Sequence, residues 1–304
     1  DPGLIGDAYT YLNYGRGAYL EDWDISDKRN KGIYYLNYFY YALFQDASWY
    51  LSRVINIFLS IYLFRLIFFK NDQVLLYKHT LVYVACILSP AVVYHANISG
   101  KEIIVAVICI LFFILFSEKK YFSSLLALWF MYLFKIYMPV LVVITIILAK
   151  VNYRNKIQLT AVIFMGAISI WYGDIILADK FTFLIAHFKD IYNYGGSSLE
   201  SLFPIERDFY KWMLQAPMRI VVFSLSPVFL DSYAKILVFI FNLVIFVYPT
   251  FLLFRHSSYV LQDKRLRVLL FFFVVVLIFY GSIAANEGMI WRQKILLSSV
   301  AVYI

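Results

Sequence analysis

The sequence predicts an all-α, polytopic transmembrane bundle of about nine to ten membrane helices, some short or re-entrant, with a long outer loop. Three observations lead there. Hydrophobic residues make up 63% of the 304 and aromatics 20%, while charged residues reach only 15%; a soluble domain carries about a quarter. The mean hydropathy is +0.75. The apolar runs are roughly 14 to 23 residues long and lack the alternation of outer-membrane strands. The basic residues, which bring the net charge to +8, sit in short clusters between these runs, as the positive-inside rule requires and a nucleic-acid surface does not.

The chain reads as a single domain, 1–304. Asp1 to Asp46 is polar, charged and rich in tyrosine, an outer-face loop with one or two short helices and an aromatic belt. The sequence opens on Asp1 rather than methionine and with no signal-peptide pattern, so an upstream first helix is expected to be missing. Trp49 to Phe69 is the first clear span, with Arg53, Asn56 and Ser60 at helical spacing on a face that should point into the bundle. The return span covers about Tyr77 to Tyr94 and the third about Lys101 to Phe116, followed by Glu118-Lys119-Lys120 on the cytoplasmic side. Tyr121 to Leu148 is apolar apart from Lys135-Ile136-Tyr137-Met138-Pro139, which predicts two short helices meeting at that break; a lysine there either snorkels or is functional.

Lys150, Arg154 and Lys156 return the chain to the cytoplasm, and Gln158 to Leu177 spans outward. Ala178 to Ala216 is then an outer-face lid loop hinged at Gly195-Gly196, which no G-K-[ST] follows to make a phosphate loop. Pro217 to Leu230 is too short to cross and predicts a re-entrant or interfacial piece. Tyr233 to Phe254 and Leu269 to Ala285 are spans separated by the basic stretch Arg255 to Arg267; Asn286 to Lys294 reads as an outer loop, and Ile295 to Ile304 as a run too short to span.

The stretch Ser89 to Glu102 interrupts two apolar runs. Ser89-Pro90 should kink the incoming helix. Ser99-x-x-Glu102 has the form of a capping box, which would place Lys101 in the first turn, beside free backbone amides suited to an anion. Cys86 and Cys109 lie in apolar runs as small hydrophobes, no metal-ligand spacing occurs, and no cofactor is expected.

The outer-face gathering of G-D-A-Y-T-Y-L at Gly6, S-P-A-V-V-Y-H with S-G-K-E in the elbow, K-I-Y-M-P at Lys135 and N-E-G-M-I-W-R at Asn286 resembles bacterial polysaccharide-assembly membrane proteins. The likeness is to the C-type (GT-C) membrane glycosyltransferases and the O-antigen or capsule repeat-unit polymerases. It implies an inner-membrane enzyme that takes a sugar or oligosaccharide from a polyprenyl phosphate or diphosphate carrier at the outer face. Membrane lipids and a chain-length regulator protein are the further partners it implies. Asp7 matches the acidic residue of the family's first outer loop, although no second acid follows it as in the mannosyltransferase branch. An aspartate there would take the acceptor proton, and cations or a helix start would stabilise the departing phosphate. On this basis Asp7 is the catalytic candidate, with Lys101, Arg219, Arg292, Lys135 and His95 for the lipid phosphate, and Asp22, Asp24, Glu102 and Glu287 in support. A flippase for the same glycans and a glycan ligase are the rival readings.

Overall fold

Pro139 shows how the sequence shapes this molecule. A proline cannot donate to the carbonyl four residues back and its ring crowds that carbonyl, which here belongs to Lys135. Lys135 accordingly leaves the helix for an extended conformation, and the next helix begins at Met138 with the proline in its first turn. The structure is a computed structural model that describes residues 7–21, 24–25, 31–68, 101–151, 158, 160, 209–228, 230, 232–283 and 287–304. Every regular element among them is helical.

The short helices expected near the N-terminus are α1 (Asp7–Leu20) and α2 (Lys31–Phe44). They form a tyrosine-rich pair, with Tyr14 edge-on to Tyr34 at 5.4 Å and Tyr19 against Tyr41 at 5.6 Å. Gly15 permits the approach, because a Cβ there would lie 2.8 Å from the backbone of Asn37. The pair is more than a peripheral loop, since Ile33 of α2 is buried in the main core. Burial pushes the Tyr40 hydroxyl up to about 12.

A short 3-10 turn at Gln45–Ala47 leads into α3 (Ser48–Phe68). Of the expected polar stripe, Asn56 and Ser60 are buried while Arg53 is half-buried; Ser52, not singled out from the sequence, is buried beside them, and Ser60 donates to the Asn56 carbonyl at 2.7 Å. The return span, the elbow up to Gly100, the outward span over 161–177 and the lid over 178–208 lie outside the described residues.

Next come α4 (Glu102–Ser117), α5 (Tyr121–Phe134) and α6 (Met138–Lys150), close to the predicted boundaries. The turn between α4 and α5 has Lys119 at φ 61° and a Glu118–Lys120 ion pair of 3.1 Å. The capping box is corrected: Lys101 is the flanking N-cap residue and Glu102 the first helical one, with no side-chain cap bond. A box needs its glutamate at the third helical position, so the helix starts two residues too late for it.

Two larger corrections follow. The expected re-entrant piece is the end of a longer helix, α7 (Phe209–Leu225), which runs through Pro217 and stops before Ser226-Pro227; the last residues assigned to the lid, 209–216, are therefore helical. Residues 287–294 of the expected outer loop and the short run after them form one helix, α12 (Glu287–Tyr303), Asn286 lying outside the described residues. Ile290, Ile295, Leu297 and Val300 give this helix a buried face.

Between these, α8 (Tyr233–Asn242), a π segment (Leu243–Val247) and α9 (Tyr248–Arg255) make one continuous helix, and α10 (Ser257–Gln262) precedes α11 (Lys264–Ile283). The π segment contains Ile245, the residue whose carbonyl Pro249 cannot reach as a donor, so the wide turn sits where an α-helical bond is missing.

At the centre lies α11: Phe272, Phe273, Val276 and Tyr280 are fully buried among residues of α4, α6 and α12. Phe113 meets Phe272 edge-on at 4.8 Å. Gly281 lets α7 come close, as its Cβ would stand 2.6 Å from Ile220 Cγ1 and 3.0 Å from Ile220 Cα. The stretches Lys235–Arg255 and Lys264–Ser282 are long and apolar enough to cross a membrane, with mean hydropathies of 2.5 and 2.0. Shorter apolar helices accompany them, and large apolar side chains such as Phe122, Trp129 and Phe251 remain exposed.

Candidate functional site

Lys135, forced out of the helix by Pro139, turns inward. Its side chain is 7% exposed, so it does not snorkel. The ammonium donates to the Tyr280 hydroxyl at 3.2 Å and sits 5.3 Å from that ring's centre. The Tyr137 hydroxyl is 3.3 Å from the same oxygen, which also donates to Met138 Sδ at 3.8 Å. The Glu102 carboxylate lies within electrostatic reach of Tyr280. The start of α4, the α5–α6 break and the last turns of α11 thus converge at one end of the molecule.

An ammonium has three donors. Among the described residues, Lys135 directs one of them to Tyr280. A buried cation with donors to spare favours an incoming anion, and two hydroxyls beside it can serve a phosphate or a sugar equally well.

Arg219 is buried in α7, where its Nε and Nη2 bind Gln215 Oε1 at 3.2 and 2.9 Å. Its neighbour Ile220 packs on Gly281, the residue after Tyr280. Arg219 therefore shares the level of Lys135, on another side of α11.

A second polar node lies on α12. The Lys294 ammonium binds the carbonyls of Ser224 at 3.1 Å and Ser226 at 2.9 Å, and Asn242 Oδ1 at 2.9 Å. Asn242 Nδ2 donates to the Ser224 carbonyl at 2.9 Å, which holds its amide oxygen toward the lysine. The rings of Phe223 and Phe246 flank the ammonium at 5.7 and 5.2 Å.

Of the residues singled out from sequence, Lys135 contacts Tyr280, Glu102 acts on Tyr280 only through its charge, Lys101 is buried beside Glu102, and Arg219 is buried on α7. Asp24 is exposed. Asp7 opens α1, Glu287 opens α12 and Arg292 falls in its second turn. His95 and Asp22 lie outside the described residues. Sequence reasoning missed Tyr280, Tyr137, Lys294 and Asn242 as partners. Asn242 carried a usable signal, being an amide inside an apolar run where polar groups are rarely idle; Tyr280 carried none, as its run is already rich in aromatics.

Among the described residues these features define a helical protein with two stretches long and apolar enough to cross a membrane and a buried lysine–tyrosine cluster where α11 meets the α5–α6 break. Comparison with protein-family models, with curated proteins and with solved structures finds no match to this chain.

Proposed function

We propose that the chain is a polytopic inner-membrane glycosyltransferase that takes its sugar from a polyprenyl phosphate or diphosphate, and specifically a polymerase joining lipid-linked repeat units at the outer face. The membrane part is supported by an inversion of the usual soluble pattern. Only 22% of the most apolar stretch, Lys235–Arg255, is buried inside the protein; a stretch of that hydropathy left uncovered needs lipid around it.

The observation that carries the chemistry is the buried Lys135 ammonium, which donates to the Tyr280 hydroxyl with the Tyr137 hydroxyl next to that oxygen. Ionisable groups at such depth are functional by default. Lys135 and Tyr280 grip the carrier phosphate as its bond to the anomeric carbon breaks, aided by Lys101, Arg219 and Arg292. Asp7 orients the acceptor hydroxyl and takes its proton, while Glu102 keeps the Tyr280 network oriented.

The test is surface glycan length in the native host carrying Asp7→Asn, Lys101→Ala, Lys135→Ala or Arg292→Ala. A failing polymerase leaves single repeat units on the surface. A failing flippase or ligase leaves none, and normal long chains in all four variants would overturn the assignment of these residues.

A further inference from the structure

The Lys294 node shares α7 and α12 with Arg219 and Arg292 but has a different chemistry from the Lys135 cluster. We propose that it is a socket for a small monovalent cation in which Lys294 is the resident, tethered ion, and that the socket locks α7, the π segment and α12 together. The oxygens come from two separate elements, the end of α7 and the last residue of α8, and they converge within 2.9 to 3.1 Å of one nitrogen. The carbonyls of Ser224 and Ser226 lie at the C-terminal end of α7, where backbone oxygens lack helical partners and the helix dipole is negative.

The three oxygens that these elements supply are neutral, two carbonyls and one amide. A hard divalent ion draws carboxylates into its shell, so this set suits a singly charged ion. The flanking Phe223 and Phe246 rings favour an ammonium-type cation, since their faces attract a weakly hydrated charge. The Ser226 hydroxyl is buried without a hydrogen-bond partner among the described residues, a further oxygen on a residue already in the shell. Shortening the lysine should leave the oxygens in place and open the socket to a free ion.

The experiment uses the full chain, purified in detergent with choline as the only bulk cation. The Lys294→Ala variant should melt several degrees below the parent, and ammonium or methylammonium, added in the millimolar range, should restore it saturably. The parent protein and Lys119→Ala should respond to neither. Melting of Lys294→Ala at the parent temperature, or a loss that ammonium, methylammonium and potassium all fail to repair, would overturn the proposal. Acetylation of the unaltered protein, read by mass spectrometry, covers the case in which the variant does not fold. Lys294 should remain unmodified while the exposed Lys119 and Lys264 react, and reaction of Lys294 as fast as Lys119 would equally overturn it.

Discussion

Two lysines lie buried in the same apolar core and have opposite surroundings. Lys294 meets three oxygens. Lys135 meets one hydroxyl and the ring that bears it. A buried charge gripped by several oxygens holds the fold together, whereas one that meets a single hydroxyl is ready for something else to arrive. The difference separates a structural cation from a candidate binding cation without reference to their positions in the chain.

The sharpest way to break the comparison is to remove each charge in turn. Lys294→Met strands three acceptors and should lower unfolding stability by about 4 kcal/mol after partial relaxation, each acceptor counting roughly 1–3 kcal/mol. Denaturant titration of the purified protein measures this. Next, Gly281→Ala should cost about 2 kcal/mol by pushing Ile220 away, and because Ser224 shares α7 with Ile220 it should also loosen the Lys294 socket. Faster acetylation of Lys294 in that variant is the expected sign.

Lys135→Met leaves one hydroxyl without its donor and should cost only about 1 kcal/mol, yet abolish glycan polymerisation in the host. A variant that polymerises normally would place Lys135 with the structural lysines. Tyr40→Phe is the smallest change and tests the α1–α2 pair. The ordinary tyrosine value is 10.0 and burial raises Tyr40 to about 12, so the folded protein holds that proton longer than the unfolded chain. Its contribution is intact below pH 10 and lost as the pH climbs toward 12. The variant should match the parent at pH 8 and show a shallower loss of denaturation midpoint at pH 11.

How legible this was depended on the range of the physics involved. The apolar helices α3, α4, α5, α6 and α11 were plain, because apolar runs bounded by charges are local. The break at Lys135 was plain as well, since Pro139 acts on a carbonyl four residues away. The Arg292-Gln293-Lys294 triplet misled, reading as a loop. Its lysine is tolerated inside a helix only because oxygens 52 to 70 residues distant converge on it. The same limit hid the Lys135–Tyr280 contact, whose partners are 145 residues apart. The α7 start was missed because Pro217 and the polar residues before it look like an end, although the helix carries them through.

The shortness of α5 and α6 has a consequence for depth. Helices of 14 and 13 residues rise about 20 Å at 1.5 Å per residue, against a bilayer core of about 30 Å. On the membrane reading, the break at Lys135 then lies up to about 10 Å beneath the plane of the lipid headgroups, or the bilayer thins to meet it. A carrier lipid would have to dip its phosphate below its neighbours to reach the ammonium. Activity should therefore be greater in thin, short-chain bilayers than in thick ones.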